Sequence, residues 1–405
     1  MRKRSVPYRI VRTAAVCLSA LVLVISVGGY AVQEWFNSTV ARVHLSLGAH
    51  RPPKTPAGSQ NWLLVGTDNT ATDQFGVRSG TRSDTTILTH LDADGTATNV
   101  SFPRDTLVTI PAYVDKQLRQ WPAHQDKFNA AISLGGPSLL IRTVEKLTNL
   151  HIDHYVSVDL DGFEKISNVL DGVEVCIRPT SYTYADDHAI TNINDGNSGF
   201  HGVYGPQKVA GAQALAFVRQ RHGLPDEDLD RIQRQQQFLG SVFREATANH
   251  FLFNPVKVAE LVEAIKGAIT LDYGTSLADL EKLALRLRGV DPSKVSFETI
   301  PQHGLEFSDT DLGAVTPYQG LAGGIPTLTP NGQTHNIGSV QVLDKPGLEA
   351  MLAPLRDKQS KPSVVVPSKP VTSEGTSTGS SAATPTPGAT PTVNTAASAG
   401  NRCTY

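Results

Sequence analysis

Arginine is concentrated in one stretch of the sequence, residues 214–239, where it could recognise phosphate. The stretch reads ALAFVRQRHGLPDEDLDRIQRQQQFL and contains no lysine. The guanidinium group is a planar fork of N–H donors that can bind two phosphate oxygens at once, which an ammonium group cannot do. The stretch therefore predicts one wall of a phosphate-binding site. The alternative for Arg219 and Arg221 is a solvated basic patch.

The second half of this stretch predicts a helix over 226–245 with an unusual face. On a helical wheel of 3.6 residues per turn, Asp228, Arg231 and Gln235 fall in the same sector as Ile232 and Leu239. An amphipathic helix ordinarily keeps polar residues off its apolar face. The pattern therefore predicts a helix that meets phosphate with its first turns and an apolar environment with its last turns.

Further charged residues stand at the ends of predicted strands. They are Asp68, Arg82, Asp84, Arg104 and Asp105. Paired carboxylates beside a diphosphate are the ligands that a hard divalent cation such as Mg²⁺ uses together with phosphate oxygens. The alternative for Arg82 and Asp84, which share one face of a strand, is an ordinary ion pair. Asp105 has two interpretations, a base that deprotonates an acceptor or a cap for the loop after Pro103.

The elements that must position these residues alternate between strands and helices. Apolar or β-branched runs such as 61–68 and 82–90 predict strands, and stretches with helical periodicity such as 138–147 follow further along the chain. Such alternation is typical of an α/β fold in three layers, with a mixed central sheet flanked by helices. This predicted domain covers residues 61–356.

The N-terminus predicts a membrane anchor. Residues 1–12 are basic, and residues 13–32 carry no charge over about the 20 residues that span a bilayer. The basic residues place the N-terminus in the cytoplasm and the rest of the chain outside. The alternative is a cleaved signal peptide. Residues 33–60 are then interpreted as a stalk.

Composition excludes some classes of partner and predicts a disordered tail. The formal net charge of −2 argues against a nucleic-acid-binding protein, which would carry a basic field. Residues 357–405 are rich in Ser, Thr, Pro and Ala and are predicted to be disordered. Three cysteines are too few for a disulfide framework. Cys176 is interpreted as a small buried apolar residue, with a bridge to Cys403 as the alternative.

Eight motifs together resemble the LytR-CpsA-Psr proteins of bacterial cell envelopes. In order they are LLVGTD, RSDTTILTH, VSFPRDTLV, KFNAA, TVEKLTNLHIDHYVSVDLDGF, DGVEV, GAQALAFVRQRH and DLDRIQRQQ. They are spread over residues 61–246 in the order found in that family. The sequence departs from the family in DGVEV, where GGV is common, and in DLDR, where a glycine often precedes the arginine, so Asp230 has no assigned role.

The resemblance implies a membrane-anchored phosphotransferase outside the cell. Such enzymes move a glycopolymer, for example teichoic acid, capsule or arabinogalactan, from a polyprenyl-diphosphate carrier to a sugar hydroxyl of peptidoglycan, and release polyprenyl phosphate. Two alternatives stay open. One is a polyprenyl-diphosphate hydrolase (pyrophosphatase) with water as the acceptor, and the other is a non-catalytic envelope-binding or regulatory protein.

The family motifs also imply a role for each charged residue. Asp68 and Asp84 would hold Mg²⁺ or Mn²⁺. The diphosphate would be held by Arg82, Arg104, Arg219 and Arg221, with Asp228, Arg231 and Gln235 completing that wall of the site. The family has a lipid tunnel between sheet and helices, and the helices predicted over 138–147 and 226–245 are the candidates for lining it. Arg82, Arg104, Arg219 and Arg221, together with Asp105, are the predicted catalytic residues.

Overall fold

The computed structural model describes most of the predicted domain. The described residues are Tyr30, 33–36, 38, 40–68, 82–115, 118–248, 255–264, 266–288, 290–291, 294–307, 340–360, 394–395 and 403–405. The predicted membrane span of residues 13–32 lies, apart from Tyr30, outside them. Within the described part of the chain, no helix combines the length and the apolar character needed to cross a bilayer.

Strands and helices follow one another through the chain. The strands are β1 Ala41–Val43, β2 Gln60–Asp68, β3 Arg82–Leu91, β4 Ala97–Ser101, β5 Leu107–Ile110, β6 Tyr113–Val114, β7 Gln120–Trp121, β8 His124–Lys127, β9 His154–Asp159, β10 Val173–Ile177, β11 Asn194–Asp195, β12 Phe200–His201, β13 Gly205–Val209, β14 Ile269–Asp272, β15 Val295–Thr299, β16 Gln302–Phe307, β17 Val340–Leu343 and β18 Asn394–Thr395. The helices are α1 Ala130–Thr148, α2 Leu160–Val169, α3 Gly211–Arg219, α4 Asp228–Ala248, α5 Pro255–Ala264, α6 Leu277–Arg288 and α7 Lys345–Ser360.

The central sheet is mixed. Its eight described strands lie in the order β1-β14-β9-β2-β3-β4-β15-β18. Strand β2 pairs in parallel with β9 and antiparallel with β3, and β15 runs parallel to β4. The predicted α/β fold with a mixed central sheet is therefore confirmed.

Helices cover both faces of the sheet because successive residues of β2 point to opposite sides. Leu63 is buried in a cluster with helices α1 and α7. Its neighbours Trp62 and Leu64 belong to a different cluster, with α4 and α6. A strand that is buried on both faces reads as a continuous apolar run, which is how the sequence of β2 appears.

The predicted stalk of residues 33–60 differs from what the structure shows. Strand β1 lies inside this range and pairs in parallel with β14 at the edge of the central sheet. Phe36 and Val40 are buried against Leu271 of β14. Main-chain pairing and a small apolar contact therefore join this segment to the domain, and a polar, proline-rich composition does not reveal such pairing.

The prediction of a disordered tail is wrong for the described residues beyond 356. Helix α7 continues to Ser360, and β18 pairs with β15. Cys403 forms a disulfide with Cys176, so the bridge that was the alternative interpretation is present. Main-chain pairing at 394–395 and a covalent bond at Cys403 tie these residues to the domain without the large apolar surface that the composition argument required.

Candidate active site

A cavity of about 480 Å³ lies between the central sheet and helices α2, α3 and α4. One end is charged, and the charged and amide side chains that line the cavity are Asp68, Asp84, Arg104, Asp159, Arg219, Arg221, Arg231 and Gln235. The remainder is apolar, and its lining residues include Leu64, Ile87, Val156, Val158, Leu160, Phe163, Ile166, Leu215, Val218, Phe238, Leu239 and Val242. The tertiary structure thus collects most of the predicted charged residues at one end of an apolar cavity.

The two predicted metal-binding carboxylates come from neighbouring strands. Asp68 ends β2, and the register between β2 and β3 shifts after Gly66, which pairs with Thr85 while Thr67 pairs with Ser83. Asp84 is therefore the extra residue of a β-bulge, an irregularity that re-aims a side chain. The Asp84 side chain lines the same cavity as Asp68.

Arg104 joins one of these carboxylates to the predicted base. It lies 3.1 Å from Asp84 through Nη1 and 3.1 Å from Asp105 through Nε. Burial lowers the pKa of the Arg104 guanidinium, but Asp105 and Asp84 outweigh it and leave the pKa above its ordinary value. Arg104 therefore stays charged, and its position is set from two sides.

Asp105 lies behind Arg104 and is not among the residues that line the cavity. Its other oxygen is 3.0 Å from Nζ of Lys127. Burial raises the pKa of this carboxyl, but Arg104 and Lys127 together hold it below the ordinary value. Asp105 is thus placed to orient Arg104, and Lys127 is a participant that the sequence interpretation did not assign.

The arginine pair Arg219 and Arg221 flanks the point where α3 ends. Helix α3 runs to Arg219, and the next residue, Gln220, has an extended ψ of 134°. Arg219 Nη2 lies 3.8 Å from Asp68, and Arg221 Nε lies 3.5 Å from Asp228. Both side chains keep substantial exposure, at 46% and 32%. They therefore remain accessible to an anionic ligand in the cavity.

The most buried charge in the cavity wall belongs to Arg231. Its Nη2 lies 2.6 Å from Asp228 Oδ1, and the two side chains are only 4% and 9% exposed. Burial lowers the pKa of Arg231, and Asp228 opposes that shift. Among the described residues no acceptor is in hydrogen-bonding geometry with Arg231 Nε. A buried donor without an acceptor is costly, and a phosphate oxygen in the cavity would satisfy it.

Gln235 and Arg82 complete the predicted set. Gln235 lines the cavity and its Nε2 donates to the Val218 carbonyl at 3.2 Å, so it ties α4 to α3. The backbone of Arg82 pairs with Asp68 across β2 and β3. The side chain of Arg82 lies outside what the structure describes, so its predicted contact with diphosphate stays a prediction.

The apolar part of the cavity is lined by different helices from those expected. Helix α4 contributes Phe238, Leu239 and Val242, as its wheel predicts. The prediction for the helix over 138–147 is wrong, because α1 packs on the opposite face of the sheet with Leu63 and Leu88. Helices α2 and α3 take its place. Periodicity predicts that a helix has an apolar face but does not say which side of the sheet that face covers.

Asp159 is a cavity residue that the sequence interpretation missed. It ends β9, beside Thr67 of β2, and its side chain caps α2 by accepting from the Gly162 amide at 2.9 Å. An acidic residue followed by a helical pattern is a recognisable N-cap signal. That signal could have placed Asp159 at the same sheet edge as Asp68.

The donor set at the charged end fits a divalent cation. Asp68 and Asp84 line the same end of the cavity, and both are near arginines that would bind phosphate. Mg²⁺ is commonly held by one or two carboxylates, with phosphate oxygens and water completing its shell. No group of three or more His, Cys, Asp or Glu side chains suited to a metal occurs in the described ranges. Such an ion would therefore depend on the substrate for ligands.

Comparison with known proteins establishes the family. The model of the LytR_cpsA_psr family matches residues 32–324. The chain belongs to the LytR-CpsA-Psr family. The resemblance found in the sequence motifs is thereby confirmed, and the match covers β1, the N-terminal segment before it and residues 61–324 of the predicted domain.

Curated relatives and a solved structure agree with this membership. The chain is 32% identical to the "probable cell wall biosynthesis protein LcpB" of Corynebacterium glutamicum, over 74% of this chain and 67% of that one. It is 29% identical to the "polyisoprenyl-teichoic acid–peptidoglycan teichoic acid transferase TagU" of Enterococcus faecalis, over 64% and 76%. The structure of "TagT bound to LIIa-WTA" superposes with a TM-score of 0.54 at 22% identity, over 79% of this chain and 100% of that one. At that identity the superposition shows a shared fold.

Proposed function

We propose that this LytR-CpsA-Psr chain is a phosphotransferase that moves a glycopolymer from a polyprenyl-diphosphate carrier to a sugar hydroxyl of peptidoglycan. The observation that carries the proposal is the division of one cavity into an arginine-rich end and an apolar end. A lipid diphosphate likewise has an anionic head, which suits the arginines, and an apolar chain, which suits the apolar end. The name of the Enterococcus relative, a teichoic acid transferase, supports the same reaction class.

The lipid chain would lie along the apolar lining. Phe163 of α2, Leu215 of α3 and Leu239 of α4 cover it from the helix side, and Val156 of the sheet faces them. Apolar burial favours the chain by about 25 cal/mol for each Å² removed from water. Because the arginines stand only at one end, this placement fixes the direction of the substrate and brings its diphosphate to Arg219 and Arg221.

The transfer needs no nucleophile from the protein. An acceptor hydroxyl attacks the phosphorus that carries the glycopolymer, a new P–O bond forms, and the bond from this phosphorus to the bridging oxygen breaks. Polyprenyl phosphate leaves with the electron pair of that bond, and the hydroxyl proton passes to a base. Arg104, Arg221 and Arg231 would stabilise the charge that grows on the departing phosphate, as fixed cations do in other phosphoryl transfers.

Asp68 and Asp84 would hold Mg²⁺, or Mn²⁺, against the diphosphate. When bound, the ion would neutralise phosphate charge and polarise the phosphoryl oxygens. The carboxylates themselves are already arranged by Arg219 and Arg104, at 3.8 and 3.1 Å. We expect transfer to stop with a chelator and to return on addition of either ion. Full activity in the chelator would contradict this role.

A single N-terminal helix over residues 13–32 would anchor the domain on the outer face of the cell membrane. The uncharged run preceded by basic residues supports this orientation. The Cys176–Cys403 disulfide supports an oxidising location, because such bonds persist mainly outside the cytosol. Protease added to intact spheroplasts should digest the domain, and protection from it would contradict this topology.

The test of the transferase is a reconstituted reaction. Full-length protein in detergent, lipid-linked glycopolymer labelled in the sugar, peptidoglycan and Mg²⁺ should yield label bound to peptidoglycan. Arg221→Ala should lower the rate by about 10²- to 10³-fold, the usual loss for a group that stabilises transition-state charge. Arg119→Ala is the matched control, because Arg119 also pairs with a carboxylate but is exposed and lies outside the cavity lining.

The same reaction separates the alternative functions. Label released into solution as a phosphorylated polymer, with none on peptidoglycan, would identify a hydrolase. Binding of the lipid without turnover, and unaffected by Asp84→Asn, would identify a non-catalytic envelope protein. Either result would overturn the transferase proposal.

A further inference from the structure

Arg234 is a buried arginine on the cavity helix α4 that does not line the cavity. Its side chain is fully buried, and each of its three nitrogens donates a hydrogen bond to another segment. Nη1 donates to Gln220 Oε1 at 2.8 Å, Nη2 to the Asn192 carbonyl at 2.5 Å, and Nε to the main-chain oxygen of Tyr405 at 2.7 Å. One guanidinium therefore holds three segments that are distant in sequence.

Gln220 connects this guanidinium to the arm, residues 219–221, which carries the two arginines that would bind diphosphate. It is fully buried and stands between Arg219 and Arg221, which both line the cavity. Its Nε2 donates to the carbonyls of Thr191 and His222, at 2.8 and 2.9 Å. Every polar atom of the Gln220 side chain is thus used to fix the main chain beside the two arginines.

The turn after the arm is packed just as closely. Gly223 has a φ of +77°, and a Cβ atom there would lie 2.6 Å from the main chain of Thr191. No residue other than glycine fits both constraints without a shift. The arm, the segment at 191–192 and Arg234 therefore form one tightly packed unit.

The third segment, residues 403–405, is itself anchored to the domain. The disulfide fixes Cys403 to Cys176 of β10. The Thr404 amide donates to the Cys176 carbonyl at 3.0 Å, and the Arg178 amide donates to the Thr404 carbonyl at 2.8 Å. The Arg178 guanidinium lies 3.6 Å from the ring centroid of Tyr405. These contacts hold the Tyr405 oxygen where Arg234 Nε can reach it.

We propose that Arg234, Gln220 and residues 403–405 form a latch that positions Arg219 and Arg221 for the diphosphate. This inference rests on the proposed function, because it assigns the latch to the same arginine arm. Arg234 and Gln220 are positioning residues, since neither lines the cavity. Loss of one acceptor leaves a buried guanidinium incompletely satisfied, and the arm can then move out of place.

The first test measures ligand binding by the full-length protein in detergent. Geranylgeranyl diphosphate reports the arm and the apolar cavity together, whereas geranylgeraniol reports the apolar cavity alone. For Gln220→Leu and for deletion of Tyr405, we expect diphosphate affinity to fall about tenfold, the effect of one weakened charge-assisted contact, with geranylgeraniol affinity unchanged. General loss of structure would instead weaken both ligands.

Gln213→Leu is the matched control. Gln213 lies on α3, the helix that ends just before Gln220, and its side chain also makes two hydrogen bonds to main-chain groups, those of Gly199 and His201, at 2.9 Å each. It contacts neither Arg234 nor the arm in these bonds. Both affinities should stay at the wild-type values in this variant, and an equal loss of diphosphate affinity here would overturn the latch.

The second test does not depend on the ligand. Amide hydrogen exchange of a peptide covering 217–224 should become faster in Gln220→Leu and in the Tyr405 deletion, but not in Gln213→Leu. Unchanged exchange in the first two variants would overturn the latch, as would unchanged diphosphate affinity. If the wild-type protein binds the diphosphate no better than the alcohol, the proposed function fails, and the exchange measurement still decides whether the latch exists.

Discussion

Asp228 Oδ1 lies 2.6 Å from Arg231 Nη2, one helical turn apart at the start of α4, and both side chains are almost fully buried. Removing one partner leaves the other charge buried without compensation. We therefore expect Asp228→Ala to lower the free energy of unfolding by about 3 kcal/mol. Guanidinium denaturation of the full-length protein, followed by tryptophan fluorescence, measures this change.

Asp161→Ala is the control for this comparison. Asp161 also forms an ion pair on a helix, with Lys165, but its side chain is 69% exposed. An exposed pair contributes little because water and salt screen it, so we expect the unfolding midpoint to stay close to the wild-type value. Equal losses in the two variants would show that burial does not set the strength of the Asp228 pair.

Asp105 is expected to orient Arg104 instead of acting as the base. It is outside the cavity lining, and its oxygens face Arg104 and Lys127 at 3.1 and 3.0 Å. These cations hold the pKa of Asp105 below its ordinary value, which weakens it as a base. Asp105→Asn should therefore slow transfer severalfold without moving the acidic limb of the pH–rate profile. Lys127→Met should behave similarly, and disappearance of that limb in Asp105→Asn alone would restore the base assignment.

The apolar end of the cavity should select for lipid chain length. Leu239 lines it, and a larger side chain there would fill space that the chain needs. Leu239→Trp should lower the affinity for geranylgeranyl diphosphate about tenfold or more, because overpacking costs about 1–3 kcal/mol. The affinity for inorganic diphosphate should not change. Leu229→Trp, on the same helix but 40% exposed, is the control. Equal effects at both positions would place the lipid elsewhere.

His154 should make the domain less stable in mild acid. Its ring stacks on Trp62 at 4.1 Å and its Nδ1 is 2.8 Å from Thr275 Oγ1. Burial lowers the pKa of His154, and nearby carboxylates such as Asp272 oppose that shift only in part. The unfolded chain therefore binds the proton first as pH falls. The stabilising contribution is complete above the unfolded pKa, about 6.5, and is lost as pH falls through the lower folded pKa.

The measurement is the midpoint concentration of guanidinium chloride for unfolding, at pH 7.5 and at pH 5.0. The wild-type midpoint should be lower at pH 5.0 than at pH 7.5. His154→Phe should show a smaller decrease, because its ring cannot take up a proton. His201→Phe, at an exposed histidine, should show the wild-type fall. If His154→Phe retains the full pH dependence, other groups are responsible for it.

Local patterns determined the strands and the chemistry of their ends. The apolar run of β2 is recognisable from the sequence alone, because a strand buried on both faces needs continuous apolar residues. The Gly and Asp that follow this run mark its end. Pro206 shows the limit of such patterns. The sequence favours a helix starting there, yet Pro206 lies in β13, paired with Cys176, and α3 begins at Gly211. Proline near a helix start and proline in a short edge strand have the same local appearance.

The sequence by itself thus determined the family, the mixed α/β class and the residue types of a phosphate site, because these depend on side-chain chemistry and short-range periodicity. The tertiary structure alone decided that α2 and α3 line the cavity, that a bulge aims Asp84, and that Arg234 reaches Tyr405. Each of these joins segments far apart in the chain. Their pairing is selected by the packing and hydrogen-bond satisfaction of the whole fold, and no local window of sequence contains that information.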